Sequence, residues 1–207
     1  MADQVFPTKG NLINTKKSLD LAMLGFDLLD RKRNVIVREM MALIDRAAVL
    51  QTQIDTGYAQ AYLALQRANV AHGVCADIAA SVPVEKGLQL SSRSVMGVDI
   101  PMVSLKSEPI KIPYGFMLTS SLVDEAYIQF DQVKKLTAEL AEVENSVYRL
   151  ATAVNKTQKR ANALKNIIIP RLTSTVKFIS DSLEEKERED FFRLKVIKNQ
   201  KEHRRQA

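Results

Sequence analysis

Apolar residues recur every three and four positions along the first 80 residues of the chain. When Leu12 is taken as position a of a heptad, seventeen of the twenty a and d positions up to Ile78 are apolar. The exceptions are Thr15, Arg33 and Gly57. A seven-residue repeat held this long predicts a helix of about 70 residues, about 105 Å in length, that winds around another helix with a left-handed supercoil.

The last 90 residues carry the same repeat. Counted from Thr119, twelve of the sixteen a and d positions up to Arg171 are apolar, and apolar spacing continues beyond Pro170. The three isoleucines at 167–169 resemble a buried strand, but this spacing predicts that a helix runs through Pro170. We expect a bend there, because proline cannot donate to the carbonyl of Asn166, at a cost of about 3 kcal/mol. Two helices joined at the proline are the alternative.

Residues 81–117 interrupt the two repeats. They hold four of the six prolines and three of the seven glycines, and these residues bound short apolar pieces such as LQL, VMGVDIPMV and IKI. This composition predicts short strands or a small hairpin, which must pack on the helices or bind a partner because it is too short to bury a core alone. The sequence thus predicts a mainly α fold: a long antiparallel two-helix coiled coil with a small β-containing insert. The predicted parts are a helix in 1–80, the insert in 81–117, and a second helix in 118–207 with a bend near Pro170 and a basic tip.

The heptad count also predicts which side chains fill the seam between the helices. We expect Arg33, a charged residue at a seam position, either to pair with a carboxylate of the second helix or to extend its charged end to solvent. The apolar seam residues singled out are Leu12, Leu19, Phe26, Leu29, Leu140, Val147, Leu164 and Ile168.

Composition and charge narrow the protein class. The net charge of +6 comes largely from residues 193–207, which hold six Lys/Arg against one Glu. Such a tail is typical either of a solvated helix end or of a contact with an acidic partner. The near-neutral remainder argues against a nucleic-acid or membrane-surface binder. A single cysteine, no signal-like start and no long apolar run predict a cytoplasmic protein without membrane insertion.

The sequence contains no pattern that predicts catalysis. It lacks the phosphate-binding loop GxxxxGK[ST] and the dinucleotide motif GxGxxG, and its two histidines are far apart. Cys75 falls at an a position, which predicts a small buried apolar side chain rather than a nucleophile or a metal ligand. The carboxylates alternate with cations, as on exposed helix faces. We therefore predict no catalytic residue, no cofactor and no metal site.

Three stretches resemble one family: Phe6–Met40, Ser94–Pro101 and Thr157–Lys198, which together make 85 residues. The last, with the pattern RxNAL…IIP…EReDxFRLKxIK, is the most specific. The chain resembles the D subunit of the V-type and A-type rotary ATPases and ATP synthases. It departs from that family at Asp30, where a lysine is expected, and at Asn34, where an aspartate is commoner.

The resemblance implies a non-catalytic central rotor shaft in a complex peripheral to the membrane. The two chain ends would enter a ring of alternating A and B catalytic subunits, and the other end would bind the F subunit and a cup-shaped subunit above the membrane ring. Rotation would couple ATP hydrolysis or synthesis to ion translocation. A generic coiled-coil scaffold that forms a parallel homodimer is the alternative.

The resemblance and the charge pattern give two sets of expected contact residues. The predicted contacts with the catalytic ring are Lys9, Lys16, Arg193, Lys195, Lys198, Arg204 and Arg205. The predicted contacts with the F subunit, in the insert, are Val95, Met96, Val98, Ile100 and Met102.

Overall fold

A computed structural model describes residues 6–106, 112–115 and 119–206, with side chains up to Lys201. Within those residues the order of elements is α1 (Lys9–His72), α2 (Ala76–Ala80), β1 (Leu88–Val95), β2 (Val98–Leu105), α3 (Ser121–Ala163), a π-helical turn (Leu164–Ile168) and α4 (Ile169–Gln206). Two long helical stretches therefore flank a two-stranded antiparallel sheet. The predicted fold class is confirmed. We call the continuous stretch from α3 through α4 the second helix, and its five-residue Leu164–Ile168 segment the π-turn.

The first helix ends earlier than the heptad count indicated. Gly73 has a φ of +79°, and its N–H donates to the carbonyl of Asn69 at 2.9 Å. This left-handed residue terminates α1, because glycine reaches that conformation without steric cost. The extension of the helix to Ile78 was wrong. Cys75 is also not a seam residue: it lies half-buried in the turn before α2.

The chain divides into two compact units. One is Asn34–Asn155, which we call the middle unit, and the other is Met1–Arg33 with Lys156–Ala207, which we call the terminal unit. Each unit contains a segment of α1 and a segment of the second helix.

In the middle unit the two helices pack antiparallel. Arg46 lies 3.5 Å from Glu139, the Tyr62 and Phe130 rings meet edge-on at 5.5 Å, and His72 Nε2 is 2.6 Å from the Ser120 hydroxyl. Residue numbers on the second helix thus decrease as residue numbers on α1 increase, which is the antiparallel arrangement. The side chains buried along these helices are Ile36, Leu50, Ile54, Ala61, Ala64, Ala68, Val123, Ala126, Val133, Val143, Ser146 and Leu150.

The sheet is a hairpin packed on the helices of the middle unit. Its two-residue loop is Met96–Gly97, with φ values of +50° and +72°. Positive φ at both loop positions is the type I′ geometry, which matches the twist of the paired strands. Ile100 of β2 forms a buried cluster with Ile36 of α1 and Leu150 of α3. The hairpin therefore adds a third layer to this part of the coil.

The terminal unit has a seam of the same antiparallel kind. Lys9 Nζ lies 2.9 Å from Glu187, and Arg33 Nη1 donates to Gln158 Oε1 at 3.4 Å. The buried side chains are Ala22, Thr157, Ala161 and Ile179. The carboxylate beside Arg33 is Asp30 of its own helix, at 2.7 Å. Asp30, the departure from the family pattern, thus faces a cation one turn away.

The second helix passes through Pro170, as the apolar spacing predicted. It does so by way of the π-turn, in which the N–H of Ile169 donates to the carbonyl of Leu164 five residues back. The seam prediction for Ile168 was wrong: Ile168 is 41% exposed, and Ile169 takes the half-buried position. The wider turn rotates the following residues relative to a regular α-helix. The bend expected at Pro170 stays a prediction.

Candidate functional site

Two surfaces carry the features that could bind other molecules, one in each unit. The first is the C-terminal segment Glu184–Lys201 of α4, which we call the tip. Every residue of the tip is exposed. The second is the hairpin of the middle unit.

The tip combines charged and aromatic side chains: acidic residues prevail in 184–190, whereas 193–201 carry cations and no carboxylate. The rings of Phe191 and Phe192 lie 6.5 Å apart and are both more than 60% exposed, and Leu194 is exposed beside them. Arg193 lies 3.6 Å from Glu189 and 3.8 Å from Asp190, one turn away on the same helix. Apolar side chains exposed in such a group are typical of a surface that a partner covers.

The predicted ring contacts fall mainly on or near this tip. Lys9, at the start of α1, pairs with Glu187, whose hydrogen bond and negative charge raise the pKa of Lys9 above its usual 10.5. Lys16 is exposed on α1, and the cations of the tip are also exposed. Arg204 and Arg205 lie in α4, but their side chains are outside the described residues.

Sequence reasoning missed a second apolar face on α1. Four exposed residues of α1 form what we call the outer stripe. They are spaced by eight, three and four positions, so they share one face of the helix. This face lies away from the buried Ala22. The stripe is Ile13, Leu21, Leu24 and Leu28. The segment LDLAMLGFDLL holds apolar residues on nearly all sides of a helix, and this was the available signal.

The outer edge of β2 is closed by a polar row on α3. The N–H of Val103 donates to Glu142 at 2.6 Å. The carbonyl of Asp99 accepts from Arg149 at 3.0 Å, and the carbonyl of Pro101 accepts from Ser146 at 3.4 Å. These backbone groups point away from β1, so α3 occupies the edge that another strand would need.

The opposite edge, along β1, remains open. Because Val95 pairs with Val98 across a two-residue loop, the backbone groups of Leu88, Leu90, Ser92 and Ser94 point outward. Among the described residues, none of these outward groups has a hydrogen-bond partner. Leu90 is 72% exposed on this strand.

The hairpin bears on the predicted contact set for the F subunit, which stays a prediction. Ile100 is only 2% exposed, so its side chain packs within this chain, whereas Val95 and Val98 pack against its cluster and are half-buried. The physical reason is that side chains alternate between the two faces of a strand, and one face of the hairpin packs on the coil. Met96 and Met102 are exposed, as a contact surface requires.

A cavity of about 1100 Å³ lies in the middle unit between the residues preceding the hairpin and the helices. Lys134 lines this cavity, and its Nζ lies 2.8 Å from a carboxylate oxygen of Asp131 and of Glu85. Hydrogen bonds to these two carboxylates raise the pKa of Lys134 and lower the pKa of Glu85. The contacts tie the segment before β1 to α3, which is a structural role.

The described residues contain no group of three His, Cys, Asp or Glu side chains that could hold a metal ion. In the same residues no helix is long and apolar enough to cross a membrane.

Comparison with known proteins adds the family. A family model described as the ATP synthase D subunit matches residues 11–199. The D subunit of the V-type ATP synthase of Thermotoga neapolitana is 45% identical over 196 residues, which cover 94% of this chain and 97% of that protein. The D subunit of the A-type ATP synthase of Pyrococcus furiosus is 40% identical over 200 residues, 94% of each chain. The resemblance inferred from the three sequence stretches is confirmed. With a match across nearly its whole length, the chain belongs to the ATP synthase D-subunit family.

Proposed function

We propose that this chain is the central rotor shaft of a V-type or A-type ATP synthase. It would carry torque between the catalytic ring of A and B subunits and the ion-translocating membrane ring, without catalysing a reaction itself. The complex would be peripheral to the membrane on its cytoplasmic side. The observation that carries the proposal is the exposed tip, in which aromatic and basic side chains lie together without covering from the described residues.

Torque transmission requires that the two helices do not slip past each other. Ile36 and Leu150 pack in one cluster across the seam of the middle unit, and Ile179 is fully buried in the terminal unit. Close packing of this kind resists sliding, because displacement would open cavities and lose contacts on both helices. Such packing within one chain supports a shaft rather than a parallel homodimer, which would need the same seam for a second copy.

The ring would surround the tip and the outer stripe. The exposed cations of the tip suit acidic groups, and the exposed Phe191, Phe192 and Leu194 suit an apolar collar. The outer stripe supplies further apolar contact on α1. Lys9 and Lys16 lie on the same helix end and stay candidate contacts.

The F subunit would bind the middle unit at the hairpin. The open edge of β1 can accept a strand from a partner, which adds main-chain hydrogen bonds to the contact. Leu88 and Leu90, with Met96 and Met102, would supply apolar area in place of the buried Ile100. Leu90→Lys should therefore weaken capture of the F subunit, whereas Tyr148→Lys, at an exposed position of α3, is the matched control.

Rotation inside the ring is tested by linking the shaft to its surroundings. In a Cys75→Ala background, Arg193→Cys places a unique thiol on the tip, and Ser92→Cys places one on β1. A thiol-to-amine cross-linker that reductant cleaves is then applied to the assembled complex. We expect the tip thiol to link to the A or B subunits and stop ATP hydrolysis, with recovery on cleavage.

The β1 thiol is the control, because the F subunit would turn with the shaft. Its cross-link should join two rotor subunits and leave hydrolysis unchanged. Full hydrolysis with the tip linked to the A or B subunits would overturn the proposal. A homodimer in sedimentation, without the A, B or F subunits, would favour the scaffold.

A further inference from the structure

The seam of the second helix changes phase at one place. Before the π-turn the buried Thr157 and Ala161 and the half-buried Leu164 follow the alternating spacing of four and three. After the π-turn the half-buried or buried apolar residues follow the same alternation, at Ile169, Leu172, Val176, Ile179 and Leu183. Between Leu164 and Ile169 the spacing is five, where four was due. One residue is therefore inserted into the heptad pattern here.

The π-turn lies across this insertion. An i→i−5 hydrogen bond, from Ile169 to Leu164, closes a ring with one residue more than the α-helical ring. The π-turn therefore absorbs the extra residue, and the same helix face contacts α1 on both sides of it. A continuous α-helix would instead turn the residues after the insertion by about 100° away from the seam.

Pro170 lies two residues after Ile168, the last residue of the π-turn. In an α-helix its ring would clash with the carbonyl of Asn166, four residues back, and its missing N–H would leave that carbonyl without a donor. The wider turn that precedes it relieves this clash. The π-turn therefore serves both features, because it absorbs the inserted residue and gives the proline a place in the helix.

The face of α1 opposite the π-turn combines a glycine with an aromatic ring. A Cβ atom added to Gly25 would lie 3.9 Å from Leu164 Cδ1, and Lys165 Nζ lies 5.8 Å from the centre of the Phe26 ring. The π-turn directs Ile167 and Ile168 outward, with 66% and 41% of their surface exposed. Little apolar packing therefore holds the turn in place.

We infer that the π-turn is a phase-correcting joint: it absorbs one inserted residue, accommodates Pro170, and is the place where the packed part of the second helix, up to Leu183, opens most readily. The inference concerns the chain itself and does not depend on the rotor proposal.

A double-mutant cycle on the full-length chain tests the joint. The variants are deletion of Ile168, Pro170→Ala, and both changes together. Deletion alone restores the heptad but leaves proline inside an α-helix, so the melting temperature should fall by roughly 6–12 °C. Pro170→Ala alone should change it by less than about 2 °C, because the π-turn already avoids the clash. The double variant should return to within about 3 °C of the parent.

Deletion of Lys177 is the matched control. It removes one exposed residue from a regular part of the same helix, so Ile179 and Leu183 leave the seam. We expect a fall of roughly 6 °C or more that Pro170→Ala does not rescue. Purely additive effects of the two changes in the cycle would overturn the inference, and so would a double variant that melts as low as this control.

Hydrogen exchange measures local opening of the π-turn directly, and a structural change elsewhere in the chain would not alter it selectively. In the parent, amides at 165–169 should exchange at least tenfold faster than those at 157–161. In the double variant the two segments should exchange at similar rates. Equal protection of both segments in the parent would contradict the opening that we assign to the joint.

Discussion

The middle and terminal units use one helix pairing in two different ways. In the middle unit the hairpin covers the coil, and Ile36, Ile100 and Leu150 form a cluster from three elements. In the terminal unit the described residues form two helices only, and fewer side chains are buried. A third layer thus gives the middle unit a core. The terminal unit depends on the register of its seam and keeps its outer faces available to partners.

The largest difference should appear when matched core residues are truncated. Ile36 and Ile179 are both isoleucines with 0% exposure, one in each unit. Ile36→Ala should reduce the free energy of unfolding by about 4 kcal/mol, since three elements hold the cavity open. Ile179→Ala should cost about 2 kcal/mol, because two helices can close part of the gap. Denaturant titration of the full chain measures both, and a larger loss for Ile179→Ala would reverse the comparison.

Two glycines of α1 test packing density in the two units. A Cβ atom at Gly57 would lie 2.8 Å from Val133 Cγ2, whereas a Cβ atom at Gly25 would meet its nearest neighbour at 3.9 Å. Gly57→Ala should therefore destabilise the chain by about 1–3 kcal/mol through overpacking. Gly25→Ala should stabilise it by about 0.5–1 kcal/mol, because alanine favours the helix. Thermal melting of both variants distinguishes them, and stabilisation by Gly57→Ala would show that the middle unit is less tightly packed.

These contrasts show how much of the fold the sequence could predict. The heptads of Leu12–Ile54 and of Leu122–Leu164 identify both helices, because a repeat held over many turns has one structural solution. The breakers around Met96 and Gly97 identify the hairpin. The end of α1 could also have been predicted from Gly73, a residue suited to the left-handed position after a helix.

Other features depend on contacts that a pattern cannot specify. The alternation in β2 does not say whether Ile100 faces its own coil or a partner, since both are apolar surroundings. The phase at Ile168 depends on one hydrogen bond, from Ile169 to Leu164, that a fixed heptad count assumes to be α-helical. The polar Arg171 at a predicted seam position was the visible sign of that shift.

Tyr114 links the insert to α3 and makes the stability of the middle unit depend on pH in the alkaline range. Its buried hydroxyl donates to Asp124 at 2.7 Å, and burial, followed by this hydrogen bond, raises the pKa of Tyr114 above its usual 10.0. Tyr114→Phe should cost about 1–2 kcal/mol at pH 7. The tyrosine's contribution is complete below pH 10 and decreases as pH rises beyond it, because only the unfolded chain then ionises. The stability gap between parent and variant should narrow between pH 10 and 11, and a constant gap would contradict this assignment.

Asp131 makes the stability of the same unit depend on pH in the acid range, and here stability decreases as pH falls. Burial raises its pKa, but hydrogen bonds from Lys134 and Lys135, both at 2.8 Å, outweigh burial and hold the pKa below 3.8. The contribution is therefore present above pH 3.8 and is lost as pH falls through the lower pKa of the folded state. Asp131→Asn should cost about 1 kcal/mol at pH 7 and little at pH 2. Urea titrations at both pH values check this, and an equal loss at pH 2 would assign the effect to packing.

The smallest effect should come from the ion pair between Lys9 and Glu187 of the terminal unit. Both side chains are largely exposed, so solvent and salt screen their attraction. Lys9→Met should leave the melting temperature unchanged within error at 0.15 M salt. Glu187→Gln should lower it slightly more, because the first turn of α1 contains no acidic residue and Glu187 is the carboxylate beside its positive end. If Lys9→Met alone destabilised the chain as much as Asp131→Asn, the terminal unit would depend on charge at its end rather than on its seam, and the contrast between the two units would need another cause.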